Sequence, residues 1–186
     1  MAEVVLIRHG QTEWSANGRH TSFTDIDLTP AGEEQAREVG RKLGGRTFAA
    51  VLSSPRKRAL RTAELAGLTV TEVTDDLAEW DYGDYEGITT ASIREERPDW
   101  YLWRDGVPNG ETADEVGARC DRVIEEVLSV DGDVALFAHG HILRALAARW
   151  LEEPVSFGGR LFLSTGSVCV LGFEREVRVV RLWNET

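Results

Sequence analysis

Three short apolar runs, each ending abruptly in polar residues, constrain this chain more than any other feature. They are VVLI before Arg8, AVL before Ser53 and VALFA before His139. None shows polar alternation, so each suits a strand covered on both faces, as in a parallel sheet held between helical layers. Helix signals lie between them. Thr29 as N-cap, Pro30 at the first helical position and Gly44 just past the end predict a helix over 30–43. Ser54 and Pro55 start a second predicted helix, which runs to about Ala66 and stops at Gly67. Predicted strands cover 3–8, 50–53, 69–73 and 134–138. From Thr112 onward Val116, Cys120, Val123, Ile124, Val127 and Leu128 recur at helical spacing, and 141–151 reads as another helix. The tail predicts two strands, 167–173 and 177–183, joined by the charged turn 174–176. This order predicts an α/β fold: a three-layer sandwich with a mostly parallel central sheet and one antiparallel edge strand.

The 186 residues fit one domain, 1–186, and no repeat, low-complexity tract or long linker divides them. A formal net charge of −11 argues against nucleic acid and anionic membrane as partners, because both need a basic surface. Any bound anion must therefore be held by a local cluster. No secretory leader or membrane-length apolar run is read, and a cytoplasmic location is expected. Cys120 and Cys169 sit in apolar-periodic segments and read as two buried thiols.

The polar residues at the strand ends carry the chemistry. Arg8 and His9 follow the first strand, Arg58 lies about one helical turn after the second, and His139 follows the strand at 134–138. Open α/β sheets bind ligands beyond the carboxyl ends of their strands, so these residues are expected on one rim. Two arginines and two histidines around a point suit a phosphoryl group, whose oxygens accept bidentate bonds from guanidinium forks. Backbone N–H groups at Gly140, where the next helix starts, could add to such a site.

The separated segments "LIRHGQTEW", "DLTPAGEEQA", "SSPRKRALRTAEL", "LAEWDYGDYEG", "NGET" and "LFAHGHILRAL" together resemble the histidine phosphatase superfamily, also called phosphoglycerate-mutase-like, over nearly the whole chain. The resemblance implies that His9 is the nucleophile that becomes phosphohistidine and that Arg8, Arg58 and His139 complete a phosphate pocket. It also implies that Glu79 is the proton donor. Among the neighbouring acidic residues Asp75, Asp76, Asp81, Asp84 and Glu86, only the motif selects Glu79.

Departures from the mutases direct the functional expectation. Ser15 stands where they carry Asn and could still hydrogen-bond phosphate; His20-Thr21-Ser22-Phe23 replaces their FTGW loop, which makes Thr21 and Ser22 candidate substrate contacts. Glu79-Trp80-Asp81-Tyr82 stands where they read Glu-Arg-His-Tyr, so an arginine expected on the substrate carboxylate is missing and Tyr82 remains, with His141 as a further candidate in the pocket. A longer insertion before the "GE" motif is also absent. The chain therefore resembles a branch containing sugar-bisphosphate phosphatases and broad acid phosphatases. The expectation is a metal-independent phosphomonoesterase acting on a small phosphate ester such as a sugar phosphate, with no metal or other cofactor, as a monomer or homodimer. The alternatives are a phosphoglycerate mutase and a non-catalytic phospho-ligand binder. Trp100, Tyr101 and Trp103 read either as a lid wall or as ordinary core aromatics.

Overall fold

Strand β1 (Val4–Arg8) sends Val4 and Leu6 into one apolar core and Val5 and Ile7 into another, the period-two geometry of a strand buried on both sides. The structure is a computed structural model and describes residues 2–186. Strand β2 (Ala50–Ser53) divides Leu52 from Val51 in the same way. So does β4 (Val134–Ala138), which splits Val134 and Leu136 from Ala135 and Phe137. Helices α2 (Pro30–Leu43) and α3 (Lys57–Leu65) close one core through Val39, Ala59 and Ala63. Helices α6 (Ala113–Ser129) and α7 (Gly140–Trp150) close the other through Val116, Val123, Ile142 and Leu146. Each large apolar side chain fully buried there stabilises the fold by about 1.5–3 kcal/mol.

The six-stranded sheet has the order β3-β2-β4-β1-β5-β6, with β3 at Glu72–Val73, β5 at Val168–Glu174 and β6 at Val177–Glu185. Pairings among β1 to β4 are parallel; β1–β5 and β5–β6 are antiparallel. The expected antiparallel edge strand is thus an antiparallel pair at one edge, because the tail returns as a hairpin.

Local chemistry explains where elements start and stop. Thr29 accepts from the Gly32 N–H, and Gly44 closes α2 with a left-handed φ of 59°. Thr112 and Glu115 form a reciprocal capping box at the start of α6. Helix α3 begins later than Ser54-Pro55 suggests. The Ser54 hydroxyl is engaged by the Arg56 N–H and by His139, and Asp25 from a separate loop accepts from the Lys57 N–H instead. The strand predicted over 69–73 shrinks to two residues: the Thr71 N–H still donates to the Val51 carbonyl, but the Val51 N–H is taken by the Thr71 hydroxyl and not by a backbone carbonyl.

Between β3 and α6 the chain carries two short helices, α4 (Thr90–Glu96) and α5 (Leu102–Asp105), besides 3-10 turns. This segment drives Trp80, Trp100 and Trp103 into the larger core while Tyr101 stays exposed. A four-residue helix, α1 (Glu13–Ala16), follows β1.

Candidate active site

Strand register builds the centre of the site. Arg8 pairs with Ala138, so His9 and His139 leave neighbouring parallel strands side by side. The His9 N–H donates to the Ala138 carbonyl at 3.0 Å, and the two rings meet edge to face at 5.1 Å. Ser53 pairs with Phe137 on the other flank of β4, which sets the Ser54 hydroxyl 2.7 Å from His139 Nε2. The chain then turns so tightly that a Cβ on Gly10 would lie 2.2 Å from the Gly32 carbonyl oxygen. Only glycine permits that approach.

His9 is almost fully buried, and its Nδ1 lies 2.7 Å from the carbonyl oxygen of Gly10. A carbonyl can only accept, so Nδ1 carries the proton and Nε2 keeps its lone pair. Among the described residues Nε2 has no protein partner, and His9 lines a pocket of about 360 Å³. Burial first, then the positive charges of Arg58 and Arg8, hold the His9 imidazole well below the usual histidine range. The ring is therefore uncharged at neutral pH, with a lone pair on Nε2.

Arg58 and His139 are both fully buried, behind the residues that line the pocket. The Arg58 Nε donates to His139 Nδ1 at 3.2 Å, and the terminal nitrogens of Arg58 donate to the carbonyls of Thr21, Ser22 and Thr24. With Nδ1 accepting, His139 must carry its proton on Nε2 and donate to Ser54. Burial, followed by the charge of Arg58, also pushes His139 well down. The Glu86 carboxylate receives the N–H groups of Ser22 and Thr24, which turns the carbonyls of that loop toward Arg58. Arg8 does reach the pocket. Its Nη1 donates to the Leu163 carbonyl, and its buried Nε has no partner. A Cβ on Gly140 would sit 3.3 Å from the Arg8 guanidinium carbon, so glycine there gives the cation room.

Glu79 faces the same pocket with its carboxylate held by backbone donors from Trp80, His141 and Ile142 at 2.8–3.0 Å. The first turn of α7 thus caps Glu79. Tyr82 and His141 also line the pocket, joined by a 2.6 Å bond between the Tyr82 hydroxyl and His141 Nδ1. Ser15 and Thr21 lie on its wall; the Ser15 hydroxyl is engaged in the α1 capping box. Ser22 lies outside the lining, buried with its hydroxyl on the Glu79 carbonyl. Trp100 and Trp103 pack in the core, as the second of the two readings expected, and their exposed edges line the pocket.

Sequence reasoning missed several contributors, among them Arg19, His20, Arg94 and Arg144, which all line the pocket. His20 arrives because its Nδ1–H is held by the Ile88 carbonyl at 2.7 Å, a contact 68 residues distant in sequence. For Arg144 a signal existed, since it lies one helical turn after Gly140 on the same face of α7. Among the described residues no three His, Cys, Asp or Glu side chains group as metal ligands. No helix of the structure is long and apolar enough to cross a membrane.

Residues 4–186 match the sequence model described as histidine phosphatase superfamily (branch 1). The chain belongs to the histidine phosphatase superfamily. An acid phosphatase of Mycobacterium tuberculosis is 46% identical over 179 residues, covering 94% of this chain and 88% of that one. A sedoheptulose 1,7-bisphosphatase of Saccharomyces cerevisiae is 38% identical over 180 residues, covering 78% and 66%. A solved structure from Mycobacterium tuberculosis superimposes with a TM-score of 0.96 at 44% identity, covering 100% of this chain and 98% of the other. This histidine phosphatase is accordingly a hydrolase with phosphatase activity, and its family acts on small phosphate esters.

Proposed function

We propose that this histidine phosphatase is a metal-independent phosphomonoesterase that hydrolyses a small phosphorylated metabolite, a sugar phosphate in the first instance, through a phosphohistidine on His9. The single observation that carries the reading is the His9 ring. It is neutral, buried beside two arginines, and its tautomer is fixed by the Gly10 carbonyl so that Nε2 is free toward the pocket. In the first step the Nε2 lone pair forms a bond to phosphorus while the ester P–O bond breaks. Glu79 gives its proton to the departing alkoxide. In the second step water attacks phosphorus, the P–N bond breaks, the water proton passes to Glu79, and orthophosphate leaves. Arg8 neutralises charge on the transferring oxygens from the pocket wall, and Arg58 holds His139 and the 21–24 loop from behind.

Hydrolysis is favoured over mutase chemistry by the two residues that replace the mutase arginine and histidine. Trp80 is fully buried with its Nε1–H on the Glu111 carbonyl, and Asp81 accepts from the Gly83 N–H. Neither lines the pocket, so neither grips a substrate carboxylate. The reading is tested by quenching a reaction with phosphate-labelled substrate in excess chelator. Label should appear on the protein as a phosphoramidate that survives alkali and is lost in acid. Undiminished labelling of His9→Ala, or loss of turnover to chelator, would overturn it.

A further inference from the structure

The Arg58 guanidinium is a fully buried cation, and a buried charge has to be met by dipoles or by counter-charge. Its terminal nitrogens are met by the carbonyls of Thr21, Ser22 and Thr24, three dipoles from one short turn. Carbonyl oxygens that converge on one group repel each other, so the turn needs a hold on its other side. Glu86 supplies it. Both of its carboxylate oxygens accept from the Ser22 N–H at 2.9 Å, and Oε1 also accepts from the Thr24 N–H at 3.1 Å. The Thr21–Ser22 peptide thus carries the carboxylate on its N–H and the guanidinium on its C=O, an ion pair bridged by one peptide plane.

The residues after Glu86 close the same clasp. The Gly87 N–H donates to the His20 carbonyl at 2.8 Å, and the Ile88 carbonyl accepts from both the N–H and the Nδ1–H of His20. Gly87 turns the chain there at a φ of 74°, with a Cβ position only 2.9 Å from the Trp14 ring, so a side chain has no room. Ser22 carries the linkage further, since its hydroxyl donates to the Glu79 carbonyl at 3.3 Å. Two acidic neighbours face elsewhere. Asp76 pairs with Arg122, and Asp84 accepts from the Asn109 amide, both at exposed positions. From Arg58 the linkage runs on to the reacting centre, through Nε on His139 Nδ1 and the edge-to-face contact of the His139 and His9 rings.

We infer that Glu86 is a positioning residue for the phosphate pocket: by holding the 21–24 turn it fixes Arg58, and through Arg58 the ring of His139 beside His9. Glu86 itself does not line the pocket. This rests on the phosphatase reading above and deepens it. Glu86→Ala removes the hold, whereas Glu86→Gln keeps one accepting oxygen. Orthovanadate, which binds in the trigonal-bipyramidal geometry of a phosphoryl group in transfer, reads the state of the pocket. Its Ki should rise about tenfold or more in Glu86→Ala, with kcat/KM falling alongside, and Glu86→Gln should recover about half of that loss on a logarithmic scale. Loss of folded protein alone lowers kcat and leaves Ki where it was, so the two causes separate. Nitrogen-15 histidine spectra read the linkage with no ligand and no turnover, so a failed phosphatase assay does not decide this question. His139 should hold its proton on Nε2 in the parent protein and become a mixture of tautomers in Glu86→Ala, while His9, held by the Gly10 carbonyl, keeps its Nδ1–H. Should Glu86→Ala not fold, Glu86→Gln carries the test with a rise of about threefold in Ki. An unchanged Ki in the alanine variant, no recovery with glutamine, or an unmoved His139 tautomer would overturn the positioning role while leaving the phosphatase reading standing.

Discussion

At the scale of single residues, Glu79 makes the sharpest commitment. Its carboxylate is fixed by three backbone N–H groups and opens on the same pocket as His9, and that position is what makes it the candidate proton donor to the leaving oxygen. Proton donation matters only when the leaving group is a poor one. In Glu79→Gln the first turnover should therefore slow by about 10²–10⁴-fold with an alkyl phosphate but far less with an activated aryl phosphate, measured as the rate of phosphoenzyme formation. Equal losses on both substrates would instead make Glu79 a positioning group. The motif match in the sequence singled out this carboxyl; its backbone cradle could not be read there, because Ile142 lies 63 residues away along the chain.

At the scale of elements, the contact between the β1–α1 loop and the start of α2 is the most demanding. Gly10 and Gly32 touch backbone to backbone, and the Gly10 N–H is held by the Thr62 hydroxyl on α3 at 3.1 Å. A methyl at position 10 has nowhere to go. Gly10→Ala should cost about 1–3 kcal/mol of stability, read as a lower urea midpoint, and should also lower kcat, since the carbonyl that orients His9 belongs to the displaced residue. An unchanged midpoint together with unchanged turnover would refute the packing argument. Elements whose ends are marked by caps were legible: α2 matches its predicted bounds, and β2 and β4 match theirs. The segment between β3 and α6 was not, because Trp80, Trp100 and Trp103 take their places by packing on distant helices and not by local periodicity.

At the scale of the whole molecule, all four histidines lie at the site, and each is held below its ordinary value with burial as the leading cause. The unfolded chain takes up protons near 6.5, whereas the folded state takes them up only at lower pH. Stability is therefore greatest above 6.5 and is lost as pH falls from there toward the depressed folded values, by up to about 1.4 kcal/mol per pH unit for each histidine. Denaturant midpoints at pH 7.5 and 5.5 should show this loss, and His20→Gln should reduce it. Identical pH dependence in that variant would show that His20 contributes nothing to the linkage.

The sequence by itself determined the layered α/β fold, the convergence of Arg8, His9 and His139 on one rim, and the family. These follow from local signals: apolar runs, caps, and polar residues at strand ends whose destination is set by the topology of a parallel sheet. Tertiary structure alone decided the rest. It joined Arg58 to His139 and to the carbonyls of the 21–24 loop, fixed the histidine tautomers through Gly10, Ser54 and Ile88, and gathered Arg19, Arg94 and Arg144 from three segments. A hydrogen-bond partner or a neighbouring charge is a matter of distance in space, and the spacing of residues along the chain does not encode it until the core has packed.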